Sequence, residues 1–238
     1  PLVRAAIEAQ HIENFDGIEG IADAKSEIFA GMGPDGLAIL PGDSPHLAQL
    51  VDNAKKAGLR HILTFGEGED CDATLSHVTM DGTSCRGKVR LGTQTYALDL
   101  PVMGKHWLKN ATAVLLAVHA AGLDIAPAIT ALKEFQSQPG RGRIITLGPA
   151  NQHITLIDES YNAAPVAVQA AIGILAQLNA GQTHRRIAVL GDTYELGDRQ
   201  DQVIEDLRHD LVKNKIDRVH GCVPMTRDLV DALPREMQ

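Results

Sequence analysis

From Ile18 to Met32, the apolar residues Ile18, Ile21, Ala22, Ile28 and Phe29 recur with helical spacing, and Lys25 falls on the same face, seven residues after Ile18. A lysine held there loses hydration, which lowers its pKa, and a neutral amine can act as a nucleophile or take up carbon dioxide as a carbamate. The competing reading is a lysine whose stem lies on the core while its head reaches water. His11 follows the first apolar run, Leu2 to Ile7, at the place where open α/β sheets bind ligands. It is a candidate metal ligand or a polar loop residue. His106 and Asn110 stand four apart at a helix start and share a face, on which an amide could bond the edge of a heterocycle such as adenine. N-terminal capping and a surface amide explain that spacing equally well.

Arg141, inside the Pro- and Gly-rich SQPGRGR segment, can offer a two-pronged fork to phosphate, or be merely solvated in a flexible hinge. Asp158 and Glu159 end a strand and could accept ribose hydroxyls. Asp192 and Glu195 in LGDTYELGD also follow a strand, where acidic loop residues are common without any chemical role. Gly82, Gly87 and Lys88 in GTSCRGKV come close to the phosphate-cradling pattern G-x-x-x-x-G-K-[ST], but Val89 stands where the metal-binding hydroxyl belongs. The flanks alternate like strands, so a hairpin turn is expected there.

The elements that must position these residues alternate. Short apolar runs at Leu2–Ile7, GLAIL and HILTF are separated by helical stretches at Ile18–Met32 and His46–Ala57, the pattern of an α/β fold. From Thr74 to Leu100 the period becomes two, with DG and GT turns, which predicts antiparallel strands inserted in or edging the same sheet. Helices are expected over His106–Ala120, stopped by a glycine, and Ile125–Phe135, preceded by the capping residue Asp124. A boundary is placed near Gly140. Beyond it RIITL, HITLID, a helix from Val166, RIAVLGD, a further helix and DRVHGCV predict an open parallel sheet.

The 238 residues are 44% apolar, enough for packed cores, and 22 Lys and Arg against 30 Asp and Glu argue against a nucleic-acid-binding surface. The longest apolar stretch, Ala111 to Ala121, is broken by Thr112 and His119 and is too short to cross a bilayer. The opening PLVRAAIEAQ has no secretory pattern, and three dispersed cysteines, Cys71, Cys85 and Cys222, build neither a disulfide framework nor a CxxC site. A reducing, cytoplasmic setting is expected.

The segments AQHIENFDGIEGIADAKSEIF, GKHWLKNATA, PGRGR, IDESYNAAP and LGDTYELGD, in that order, resemble the Mur ligase family over nearly the whole chain. They are most similar to the branch that adds D-alanyl-D-alanine to a UDP-N-acetylmuramoyl tripeptide in peptidoglycan precursor synthesis. The resemblance implies an α/β fold. Residues 1–140 would form part of the central ATP-binding domain, without its glycine-rich phosphate loop, and residues 141–238 a Rossmann-like C-terminal ligase domain stopping short of its end. It implies ATP and Mg2+ as cofactors. His11 and a carbamate on Lys25 would hold magnesium ions, His106, Asn110 and Asn162 would lie at the nucleotide, Arg141 at its phosphates and Asp158 or Glu159 at its ribose. Tyr161, Asp192 and Glu195 would belong to loops near the substrate. Trp107 and Ala164 stand where the family usually has asparagines. An ATP-dependent carboxylate-amine ligase is expected, monomeric and cytoplasmic, with this chain alone inactive. A catalytically dead scaffold module of the same fold and a folate polyglutamating ligase are the alternatives.

Overall fold

The structure is a computed structural model that describes residues 2–3, 17–149, 154–162, 164–178, 184–191, 196 and 199–238. The described residues up to Phe135 form one compact unit and those from Gln136 onward another.

In the first unit, six described strands make one sheet in the order β1 to β6. Strands β1 (Leu2–Val3), β2 (Leu37–Pro41) and β3 (His61–Gly66) are parallel, and β4 (Ala73–Met80) joins β3 in parallel through its first two residues. Strands β5 (Cys85–Leu91) and β6 (Gln94–Leu100) continue it as an antiparallel meander. The sheet thus changes from parallel to antiparallel where the hydropathy period changes to two. Gly87 and Lys88 lie inside β5, paired with Leu98 and Ala97 of β6, so the near-match to a phosphate loop is strand and turn.

Helices α1 (Gly17–Ser26) and α2 (Leu47–Lys56) precede and follow β2. Helix α1 ends in a tighter three-residue-per-turn segment at Glu27–Gly31. Phe29, near the centre of the apolar stripe, is buried, while Ile28, expected on the same face, lies at its edge and is 48% exposed. Helix α3 (Lys105–Ala120) lies across β3, β4 and β5, and α4 (Ile125–Lys133) packs on it. Gly122, at φ +70°, ends α3, and the Asp124 carboxylate accepts the Ala126 N–H at 3.1 Å to cap α4. Ile39, Phe65, Leu75, Val89 and Leu100 from the sheet close on Leu108, Leu115 and Leu116 of α3 to form the core.

The second unit contains two described strand pairs. Strands β7 (Arg143–Leu147) and β8 (Ile154–Asp158) are antiparallel, whereas β9 (Ile187–Leu190) and β10 (Arg218–Gly221) are parallel. The expected open parallel sheet holds for β9 and β10 and is corrected for β7 and β8. Only six residues, 148–153, join β7 to β8, too few for a parallel crossover. Helix α5 (Pro165–Gln177) follows β8, α6 (Gln200–Lys213) connects β9 to β10, and α7 (Pro224–Asp231) follows β10. Ile172, Ala188, Leu207, Leu211, Ile216, Val219 and Leu229 form this unit's own core.

Candidate functional site

The C-terminal ends of β2 and β3 lie at one sheet edge, the edge that binds ligands in parallel sheets. Chain leaving β2 brings Asp43 there, and chain leaving β3 brings Glu67. The Asp43 carboxylate accepts the N–H groups of Glu67 at 2.9 Å and Gly68 at 3.2 Å, and the Lys109 ammonium at 2.9 Å. Glu67 in turn meets Lys105 at 2.6 Å and Lys109 at 3.1 Å. Gly66 is required for this approach, since a Cβ there would sit 2.5 Å from the Asp43 carboxylate. Partial burial pushes both acids upward, but it is outweighed at Asp43 by the Lys109 ammonium with the Glu67 and Gly68 amides, and at Glu67 by the Lys105 and Lys109 ammoniums, so both lie below the usual carboxylate range. Burial opposes the Lys109 charge, yet the two carboxylates raise its pKa overall. The network fastens the first two turns of α3 to the ends of β2 and β3.

Those turns carry His106 and Asn110. Gly104, at φ +122°, immediately precedes α3, and the His106 ring folds so closely over it that a Cβ would lie 2.5 Å from the ring. Protein around the ring lowers the His106 pKa by desolvation, leaving the neutral imidazole favoured. Trp107 lies between His106 and Phe135, with ring centroids 5.1 and 5.0 Å away. Its indole N–H is the one buried side-chain polar atom without a hydrogen-bond partner among the described residues. Asn110 is exposed and takes no part in the charged network, so its amide is open to a ligand.

Lys25 is half-buried in the last turn of α1. The helix that carries it is tied to α2, because Asp23 accepts Gln49 Nε2 at 2.8 Å and Asn53 Nδ2 at 2.7 Å, and Gln49 also donates to the Glu19 carbonyl at 3.0 Å. His11 lies outside the described residues, and among those described no group of three His, Cys, Asp or Glu side chains could hold a metal. The magnesium assignment therefore has its support in the sequence resemblance.

In the second unit, Arg141, Asp158, Glu159 and Tyr161 come together. The Arg141 guanidinium lies over the Tyr161 ring, 4.3 Å from its centroid. Asp158 accepts the Gly140 N–H at 2.9 Å, the Ser160 N–H at 3.2 Å and the Ser160 hydroxyl at 2.6 Å. The Ser160 hydroxyl and these two amides hold Asp158 below the usual carboxylate range. Glu159 behaves oppositely: burial raises it, Arg141 draws it partly back and Asp158 raises it further. Asn162 is exposed beside them. Gly140 and Gly142, read from sequence as a flexible hinge around Arg141, are buried and hydrogen-bonded, with Gly142 N–H donating to the Asp158 carbonyl at 2.9 Å. Asp192 and Glu195 lie outside the described residues.

Sequence reasoning missed Asp43, Glu67, Lys105 and Lys109. The available signal was an acid one or two residues past the end of each of two successive parallel strands, in PGD and GEG.

This α/β architecture, with polar clusters at strand ends, has counterparts among known proteins. Residues 3–118 match the family model of the Mur ligase middle domain. Similar curated proteins include UDP-N-acetylmuramoyl-tripeptide-D-alanyl-D-alanine ligases. The Rickettsia prowazekii protein is 26% identical over 97% of this chain and 50% of its own length. The Bacillus subtilis protein is 30% identical over 90% of this chain and 44% of its own length, and the Escherichia coli protein 32% identical over 80% and 40%. The chain spans about half or less of the length of these relatives. Among solved structures, MurF from Acinetobacter baumannii superposes with a TM-score of 0.84 at 27% identity, covering 99% of this chain and 49% of that one. The fold is shared too by MurF ligase from Thermotoga maritima in complex with ADP, with a TM-score of 0.79 at 23% identity over 99% of this chain and 51% of that one. No helix among the described residues is long and apolar enough to cross a membrane.

Proposed function

We propose that this chain is the nucleotide-binding and ligating portion of a cytoplasmic enzyme that joins D-alanyl-D-alanine to a UDP-N-acetylmuramoyl tripeptide at the expense of ATP. One observation carries the reading: relatives of that name align with up to 97% of the chain. The sequence motifs Lys25, His106-x-x-x-Asn110, Arg141 and the Asp158–Asn162 turn lie within the aligned length, and the likeness to that branch disfavours the folate-ligase alternative.

In this reading ATP supplies the phosphoryl group that activates a carboxylate for attack by an amine, with Mg2+ as its counter-ion. The residues of the chain bind and orient. The exposed Asn110 amide is suited to an adenine edge, His106 in its neutral form to a stacking or hydrogen-bonding contact beside it, and Arg141 to phosphate oxygens. Glu159 is the better candidate for ribose hydroxyls, because the Asp158 oxygens are already engaged. Asn162 is assigned beside the nucleotide, Tyr161, Asp192 and Glu195 to the rim of the substrate site, and His11 with a carbamate on Lys25 to magnesium.

The test is calorimetric titration of the chain with MgATP, then phosphate release with a UDP-N-acetylmuramoyl tripeptide and D-alanyl-D-alanine. Because the sequence contains no complete G-x-x-x-x-G-K-[ST] pattern, the chain by itself is expected to bind ATP with a Kd of about 1 mM, or about -4 kcal/mol, without turnover. In a ligase assembled with the phosphate loop, Lys25→Ala abolishes most activity and added short carboxylates restore part of it. Retention of near-normal turnover by Lys25→Ala, or phosphate release independent of D-alanyl-D-alanine, would remove the assignment.

A further inference from the structure

Asp158 was a natural candidate for a ribose ligand, yet its surroundings give it another task. One carboxylate oxygen accepts the Gly140 N–H, and the other accepts both the N–H and the hydroxyl of Ser160. Its carbonyl accepts the Gly142 N–H at 2.9 Å, so the two residues flanking Arg141 are both tied to the one residue Asp158. The link is returned by Tyr161, whose N–H donates to the Gly140 carbonyl at 3.1 Å. Gly140 has φ +76°, and a Cβ on it would lie 2.7 Å from the Tyr161 Cβ, so the two backbones touch with no side chain between them. Arg141 is then the one residue of Gly140–Gly142 with a side chain, and its guanidinium lies over the Tyr161 ring. Every element of this cluster restricts Arg141: backbone at both flanks, an aromatic surface under the guanidinium, and the charge of the half-buried Glu159 nearby.

We infer that Asp158 and Tyr161 are positioning residues that hold Arg141 in one orientation for an anionic oxygen of the ligand. Asp158 fixes the Gly140–Gly142 backbone, and Tyr161 supports the guanidinium without neutralising it as a carboxylate partner would. Ordering an arginine before binding removes part of the entropy cost of immobilising it on a phosphate, and the fold meets that cost in advance. The inference rests on the nucleotide reading for the identity of the ligand, whereas the clamp itself does not.

A ribose ligand and an arginine clamp predict different outcomes for the same substitution. The probes are MgATP and inorganic tripolyphosphate, which has phosphates but no ribose. Asp158→Asn is expected to weaken both by a similar factor, about tenfold. In an Arg141→Ala background the same substitution should cost almost nothing further, because its effect passes through Arg141. Tyr161→Leu should weaken both probes, and Tyr161→Phe, which retains the ring, should restore most of that loss. A loss confined to MgATP, or one that adds fully to Arg141→Ala, overturns the inference in favour of direct ribose contact. Hydrogen exchange separates the clamp from the ligand reading: the Gly140, Gly142 and Ser160 amides should exchange slowly in the unliganded chain and at least about tenfold faster in Asp158→Asn. Fast exchange of these amides in the wild type overturns the clamp. Protected amides in a wild type that binds neither probe would remove the nucleotide reading while upholding the clamp.

Discussion

Asp43 shows how a residue unremarkable in sequence becomes central in the fold. Lys109 lies 66 positions from it and Glu67 lies 24, so no local pattern could pair them. Lys25, His106 and Asn110 were legible because the helix period alone puts each on a recognisable face. The network among Asp43, Glu67, Lys105 and Lys109 needed the parallel register of β2 and β3, which hydropathy does not specify. The pKa directions give a sign to its pH dependence. Asp43 and Glu67 are lowered, so their contribution to stability is present above the ordinary carboxylate pKa and lost as pH falls through the folded values. Lys109 is raised, so its contribution is present below the ordinary lysine pKa and lost only as pH rises through its folded value. Asp43→Asn should therefore destabilise the first unit by about 1–2 kcal/mol near neutral pH, since the pair is only partly shielded from water. Thermal melts across pH check this: the gap between variant and wild type should narrow steadily on acidification, and a gap constant from pH 7 to pH 3, roughly the range spanning the carboxylate pKa values, would exclude an ionic origin.

At the scale of elements, strand and helix positions followed from periodicity, and the departures have local causes. Ile28 lies at the edge of the α1 apolar stripe and is exposed, and the short β7–β8 connection enforces an antiparallel pair where a parallel one was expected. The same glycine-rich composition also has two different meanings. Gly82 and Gly140 both have positive φ, +91° and +76°, but a Cβ on Gly82 meets nothing within 4 Å while one on Gly140 meets Tyr161. Sequence alone labels both as turns. Gly82→Ala is expected to cost only its backbone strain, about 1 kcal/mol, whereas Gly140→Ala adds a steric clash and should cost about 3 kcal/mol or more. Denaturant melts of the two variants measure the difference. Equal costs would mean that the Gly140–Tyr161 approach yields without consequence.

For the whole molecule, the chain divides between Phe135 and Gln136, and each unit has its own buried cluster. Leu108 and Leu211 are both fully buried, one in each cluster. Leu108→Ala and Leu211→Ala should each cost about 2–5 kcal/mol. Calorimetry should show each substitution lowering one transition while leaving the other in place; a common shift of a single transition would show that the two clusters melt together. The split of the first sheet into parallel and antiparallel halves has a consequence in time. Strands β4, β5 and β6 meet through the Asp81–Ser84 turn, where Asp81 accepts the Ser84 N–H at 3.0 Å, and through the tight turn at Gly92, at φ +57°. Their contacts are close in sequence, so little loop entropy opposes them, whereas joining β2 to β3 requires closing a loop around the whole of α2. The meander should therefore consolidate early and offer β3 a formed edge to join. In refolding experiments Val89→Ala would mainly slow folding, while Ile39→Ala would mainly hasten unfolding. An insertion that reads in sequence as an appendage to the parallel sheet would then be the part on which that sheet is assembled.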